Sequence, residues 1–152
     1  AYLNWMQDPL VLKFLEARHL TFTLKSLKEY VQEQLDNPLS LFLGIFWNAN
    51  GMHIGNIKLA PIDFDSRTAE MGILIGERSY WGRGAAAESI QCLSDYAFQE
   101  LGLLQVTAGC YSPNAGSQIA FQRAGFEAQV AQKNAITLNG EPADLIRMKK
   151  SI

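Results

Sequence analysis

Tyr80-Trp81-Gly82-Arg83-Gly84-Ala85-Ala86-Ala87-Glu88 is a glycine-bearing turn between two apolar stretches of different period. Before it, residues 69–76 are apolar on both faces, as a central strand requires. After it, positions 86, 90, 93, 97 and 101 form one apolar stripe of a long helix. A strand that passes through glycines into a helix leaves unpaired amide donors and the positive end of the helix dipole at the turn. Glycine lets a ligand approach that backbone closely, and the combination holds phosphate groups without a lysine. The residues alone leave several readings open. A Walker loop needs Gly-Lys-Ser/Thr where this chain has Gly84-Ala85-Ala86. A Rossmann turn needs a third glycine, for which Ala87 would stand, and a ribose-binding acid downstream. An ordinary strand-to-helix turn fits a lone Gly-x-Gly equally well.

Working outward, residues 41–47 alternate, with Leu41, Leu43, Ile45 and Trp47 on one face and Phe42 and Phe46 on the other. Asn50-Gly51 is a tight-turn signal, and residues 53–59 read as the returning strand. Further upstream, a helical signal at 2–6 is stopped by Asp8-Pro9. A second helix is expected from Ser26 as N-cap, with Glu29 completing a capping box, to about Leu35. Downstream come a strand at 105–110, a helix at 114–124 stopped by Gly125, and strands at 126–133 and 144–149 joined by a turn at Asn139-Gly140. Only the central strand–helix–strand unit has the spacing of a parallel crossover, while the hairpins demand antiparallel pairs. The expected fold class is therefore α/β of the α+β type: a mixed, largely antiparallel central sheet flanked by helices. Residues 1–152 read as a single domain, without repeat, linker or low-complexity tract.

Composition narrows the function. The chain is 48% apolar and 18% charged, with a net charge of −2. It has no global field to attract nucleic acid, so a bound anion must be held locally. The two cysteines, Cys92 and Cys110, read as small buried hydrophobes, with a bridge between them left open. The two histidines, His19 and His53, make no metal-ligand spacing. No apolar run is long enough to span a membrane, and no signal-peptide pattern opens the chain, so a cytoplasmic protein without metal is expected.

The segment from Ala69 to Phe126 resembles the GNAT acetyltransferases, and in particular their ribosomal-protein N-terminal and amino-sugar branch. The family's acyl-CoA loop reads Arg/Gln-x-x-Gly-x-Gly/Ala. Gly84 matches its glycine and Ala86 its last small residue, while Trp81 replaces the leading Arg/Gln. Asp95-Tyr96-Ala97-Phe98, Leu101-Gly102-Leu103, Asn114-x-x-Ser117, Phe121 and Gly125-Phe126 add to the likeness. The family usually carries a strand before its first helix, and this chain starts inside that helix, which would leave a sheet edge bare.

The resemblance implies acetyl-CoA as cosubstrate, with the amides of Gly82, Arg83, Gly84, Ala85, Ala86 and Ala87, next to Trp81, at its pyrophosphate. It also implies that the main chain of Ile73, Leu74 and Ile75 pairs with the pantetheine arm by strand addition, that Asn114 and Phe121 contact that arm, and that Arg83 and Arg123 lie near the phosphates. Acetyl transfer to an amine needs a free amine, alignment, and a proton for the leaving thiolate. Glu70, eleven residues before Trp81, is the expected base, ahead of Glu77. The tyrosine that many members use as acid is Phe121 here, which has no proton to give, so Ser117 is the alternative, with helix capping as its structural role. Direct transfer is expected, since neither cysteine has an activating neighbour in sequence. Trp5, Phe14, Arg18, Phe22, Trp47 and His53 are expected to line the acceptor cleft. That aromatic set suits a peptide N-terminus or an amino sugar better than a polyamine. The partner is thus a small-molecule or peptide amine, with the protein a monomer or homodimer. A non-catalytic acyl-CoA sensor and nucleotide binding by the same loop are the alternatives.

Overall fold

In the computed structural model, which describes residues 1–152, the hairpins and the crossover build one seven-stranded mixed sheet. Its strands are β1 (Leu41–Trp47), β2 (Met52–Asp63), β3 (Thr68–Ile75), β4 (Gln105–Tyr111), β5 (Glu127–Ala128), β6 (Gln132–Leu138) and β7 (Glu141–Ser151). They lie in the order β1-β2-β3-β4-β7-β5, with β6 also paired to β7. Every pair is antiparallel except β3 with β4. That parallel pairing spans only Thr68↔Gln105, Ala69↔Val106 and Glu70↔Thr107. Beyond Glu70 the two strands continue unpaired to each other, so the sheet opens in its middle. β1 is an edge strand.

The helices are α1 (Tyr2–Trp5), α2 (Pro9–Leu12), α3 (Leu24–Asp36), α4 (Ala85–Gln99) and α5 (Ala115–Arg123). On one face, α4 buries Ile90, Leu93 and Ala97 of its stripe against Ile54, Leu59, Val106 and Met148 of the sheet. Ala86 and Leu101 at the stripe's ends are only partly covered. Ser94 is buried beside the stripe without penalty, because its Oγ donates to the Ile90 carbonyl at 2.7 Å. The opposite face carries α1 to α3, whose buried residues Trp5, Met6, Val11 and Leu27 form a separate apolar layer.

Several boundaries differ from expectation for local reasons. Asp8-Pro9 starts α2 as well as stopping α1: the Asp8 carboxylate accepts from the Leu10 amide, and proline fits a first helical turn. The capping box of α3 is Thr23 with Ser26, not Ser26 with Glu29, so the helix begins earlier. β2 runs on to Asp63 through an irregularity between Leu59 and Ile62, where Pro61 has no amide to donate. The expected strand at 126–133 is two pieces, β5 and the start of β6. The Asn139-Gly140 turn is a two-residue hairpin with both residues at positive φ, 51° and 84°. Cys92 is exposed rather than buried, Cys110 is buried, and both are free thiols.

Candidate active site

The turn after β3 is built to leave its amides open. Gly82 and Gly84 have φ of 73° and 86°, and a Cβ at either would meet nothing within 4 Å. Backbone conformation, not crowding, therefore requires glycine there. Gly84 is the N-cap of α4 and offers no side-chain acceptor; the first bond of the helix runs from the Glu88 amide to the Gly84 carbonyl at 3.1 Å. Each amide from Gly82 to Ala87 is consequently without an acceptor in the protein. Trp81 ties this loop to the end of β3, its Nε1–H donating to the Ile75 carbonyl at 2.7 Å. Tyr80 sits against the Trp47 ring, takes a hydrogen bond from Asn50 Nδ2 at 2.9 Å, and has the Arg83 guanidinium 5.1 Å above its ring. Arg83 is thereby held on Tyr80, while Arg123 lines the cleft.

From this loop a single cleft of about 1530 Å³ follows the open side of β3, bounded by α5 on one flank and by α1 to α3 on the other. Ligand pockets commonly measure roughly 300–1,000 Å³, so this one has room for two substrates side by side. Ile73, Leu74, Ile75, Trp81, Gly82, Gly84 and the three alanines all line it. The Ile75 carbonyl is already engaged by Trp81 and is not free for the expected strand addition.

Glu70 lies at the last paired position of β3, on the wall of the cleft. Its Oε1 accepts from Nη1 of Arg147 on β7 at 3.3 Å, with both side chains about half exposed, at 47% and 49%. Glu77, the second carboxylate, is outside this cleft and accepts from the Ser79 hydroxyl. On the α5 flank, Asn114 is the N-cap, its Oδ1 accepting from the Ser117 amide at 3.2 Å. Capping thus belongs to Asn114, and the Ser117 hydroxyl is free of it. Ser117 Oγ lies 3.2 Å from the buried Cys110 Sγ. Burial pushes the Cys110 thiol up, with Ser117 opposing that shift, so the thiol stays protonated. Phe121 is a core residue, 2% exposed and edge-on to Phe126 at 5.0 Å. It lines the cleft with little free surface, which limits the expected contact with a ligand arm.

The acceptor side differs more from the reading of the sequence. Phe14 and Phe22 line the cleft, but Trp5, Arg18, Trp47 and His53 do not. Trp5 is buried beneath the end of β3, where a Cβ on Gly76 would come within 2.1 Å of its ring. His53 is packed between Trp5 at 4.9 Å and Phe46 at 4.8 Å. Arg18 donates to the carbonyls of Leu15 and Thr137, bracing the 3-10 turn at Glu16–His19 against β6. In their place stand Tyr2, Tyr30, Phe42, Asn56 and Lys58. Asn56 and Lys58 alternate with the buried Ile57 and Leu59, so period-two reading of β2 could have placed both on the α1–α3 face. Burial, aided by the nearby Tyr30, pushes the Tyr2 phenol up to about 12, so it remains neutral. No helix is long and apolar enough to cross a membrane, and no group of three or more His, Cys, Asp or Glu is placed to hold a metal ion.

Comparison with known proteins gives this geometry a class. The acetyltransferase (GNAT) domain family matches residues 1–127. The chain belongs to the GNAT acetyltransferase family. The probable N-acetyltransferase YjcK of Bacillus subtilis (strain 168) is 33% identical over 118 residues, which cover 76% of this chain and 64% of that protein. The uncharacterized N-acetyltransferase p20 of Bacillus licheniformis is 35% identical over 77 residues, 47% of this chain and 43% of that protein. The matched part thus spans less than two thirds of either relative. Among solved structures, spermidine N-acetyltransferase from Vibrio cholerae in complex with CoA and spermine superposes with a TM-score of 0.86 at 21% identity, covering 99% of this chain and 87% of that one. A GNAT acetyltransferase from Bacillus anthracis gives 0.83 at 20% identity, covering 98% and 86%. At such identities the likeness is one of fold. These matches support the family as a whole and do not single out its ribosomal-protein or amino-sugar branch.

Proposed function

We propose that this chain is an acetyl-CoA-dependent N-acetyltransferase acting on a primary amine. The observation that carries the reading is the run of acceptor-less amides from Gly82 to Ala87, opening onto a cleft that follows the unpaired edge of β3. A pyrophosphate is the acceptor-rich group that such a run at a helix start is built for. Open space at Gly82 and Gly84 leaves it room. Ile73 and the Ile75 amide then offer main-chain partners to the extended arm, and Asn114 keeps its amide nitrogen for it while its oxygen caps α5. The bound thioester supplies the activated acetyl group.

Glu70 stands where the unpaired stretch begins and takes the proton from the incoming amine, directly or through water. The amine nitrogen forms a bond to the acetyl carbon as the carbon–sulfur bond breaks. Ser117 is the proton donor to the departing sulfur: its Oγ is 3.2 Å from Cys110 Sγ, a contact in which either group can donate, and with the thiol as donor the serine proton is free for the cleft. Arg147 positions Glu70 through the 3.3 Å contact between their side chains.

The acceptor class is read from charge. The cleft is lined by Lys13, Lys58, Arg123 and Arg147 against Glu16 and Glu70. Both acids are engaged, Glu70 by Arg147 and Glu16 by the Tyr111 hydroxyl at 3.4 Å. A peptide N-terminus or an amino sugar fits that lining. The spermidine acetyltransferases that share the fold raise a polyamine as the second reading, but a polycation finds no acidic cluster here. The test is thiol release from acetyl-CoA across peptide, amino-sugar and polyamine panels, with Glu70→Gln alongside. Turnover with some amine, slowed by about 10²-fold or more in the variant at unchanged CoA affinity, is expected. Tight CoA binding without turnover on any amine would overturn it in favour of a non-catalytic acyl-CoA sensor.

A further inference from the structure

One corner of the acceptor side presents hydrogen-bond donors and no acceptors. Lys58 and Asn56 lie two residues apart on the same face of β2, and both line the cleft. Lys58 is half-buried, and no carboxylate lies within ion-pair distance of it. Its Nζ donates to the Tyr30 hydroxyl at 3.2 Å, which fills the phenol oxygen and leaves the phenol proton to point elsewhere. Asn56 is 7% exposed. Its Oδ1 is occupied by His53 Nε2 at 2.9 Å, and its Nδ2 is the single buried side-chain polar atom left without a partner. A buried donor without an acceptor is unfavourable to a fold, and this one lies on a residue that lines the cleft.

Geometry relates this corner to the reacting end of the cleft. Lys58 pairs with Gly72 across the β2–β3 ladder, and Glu70 is the next residue on that face of β3. Diagonal neighbours of this kind have Cβ atoms roughly 7–8 Å apart. At Gly72 itself a Cβ would sit 3.5 Å from Lys58 Cε, so the missing side chain keeps the lysine stem uncovered toward the cleft. Tyr2, Tyr30 and Phe42 wall the corner with aromatic surface, which weakens competition from water.

We propose that Lys58, with Tyr30 and Asn56, is the specificity-determining corner of the cleft and selects amines that also carry an anionic group, a carboxylate or a phosphate. The inference rests on the acetyltransferase reading. The amine meets Glu70 while the anion, a few methylene groups away, is held by Lys58. A terminal ammonium in the same place would face the Lys58 charge with no carboxylate to offset it.

A matched series separates the possibilities: 5-aminopentanoate, 4-aminobutyl phosphate, the neutral 5-aminopentanamide, and 1,5-diaminopentane. Each is measured in two ways, by kcat/KM for thiol release and by calorimetric binding without acetyl-CoA. The anionic members are expected to exceed the diamine by about tenfold or more in both, the scale of one charge-assisted hydrogen bond. Whichever of carboxylate and phosphate leads names the source. Lys58→Met should collapse the anion-to-diamine ratio toward one, Lys58→Arg should restore much of it, and Asn56→Leu should lower it severalfold through KM rather than kcat. A diamine bound as well as or better than the anionic members, or a ratio untouched by Lys58→Met, would overturn the proposal while leaving acetyl transfer intact. Thiol release from none of the four, with anion-selective binding still lost in Lys58→Met, would count against the acetyltransferase reading and for the anion site.

Discussion

Replacing Trp81 by phenylalanine tests whether the placement of the loop, rather than its glycines alone, sets affinity for the acyl donor. The hydrogen bond from the indole N–H to the Ile75 carbonyl, 2.7 Å long, ties the loop to the end of β3. A neutral hydrogen bond contributes roughly 0.5–1.5 kcal/mol net. Trp81 is 45% exposed, so water replaces the lost donor at Ile75 and the loss falls near the middle of that range, about 1 kcal/mol. In a domain of this size that corresponds to about 2–4 °C in Tm. If the tie also holds the amides from Gly82 to Ala87 in line with β3, a similar amount is missing from donor binding, and the KM for acetyl-CoA rises about fivefold. The kcat at saturating donor should change little, because neither Glu70 nor Ser117 touches the indole. Initial rates of thiol release over a range of acetyl-CoA concentrations, beside thermal melts of the same protein, give both numbers. A lower Tm with an unchanged KM would refute the reasoning: the bond would then hold the fold together without aiming the loop.

Three further outcomes are expected. Gly76→Ala puts a methyl group within 2.1 Å of the buried Trp5 ring; overpacking of this kind destabilises by about 1–3 kcal/mol or more, and calorimetry should show Tm several degrees lower. Asp8, Asp63 and Asp144 are all held below the usual carboxylate range, Asp8 chiefly by the Leu10 amide, Asp63 by the Ser66 amide and Asp144 by Lys133. Their contribution to stability is therefore complete above the unfolded value of about 3.9 and is lost as pH falls below it through the depressed folded values. Acid titration followed by circular dichroism should show Asp144→Asn less sensitive than the parent protein in that window. Of the two thiols, Cys92 should react with a disulfide reagent in the native protein and Cys110 only on unfolding, as one is exposed and the other buried with its thiol pushed up.

The architecture was legible because it is written in short-range signals. The stripe on α4, the turn at Asn139-Gly140 and the switch of period at Tyr80 each depend on neighbours in sequence, and each holds in the structure. The open glycine turn was legible for the same reason, since positive φ at Gly82 and Gly84 is a property of the loop itself. The acceptor half was not. Whether Trp5 or Tyr2 faces the cleft depends on how a four-residue helix lies on the sheet, and nothing within that helix records it. His53 was read from its place after a turn, yet its ring is claimed by Trp5 and Phe46 from elsewhere in the chain. The Glu70–Arg147 pair joins residues far apart in sequence on strands that do not neighbour each other, a relation that only topology creates. Cys110 beside Ser117 is of the same kind, with the added point that burial fixes the protonation state of the thiol.

The three-position ladder between β3 and β4 has a mechanical consequence. The sheet is two leaves, β1-β2-β3 and β4-β7 with β5 and β6, stitched along a short seam from Thr68 to Glu70. Past the seam no strand ladder joins the leaves, and the Glu70–Arg147 bridge spans them at its end. A ligand arm laid along Ile73 and Ile75 would act as a brace in the slot, stiffening the leaves against each other. Occupancy of the donor site would then be readable far from it, as slower amide exchange along both margins of the slot. It would also set the width of the opening in which the amine arrives.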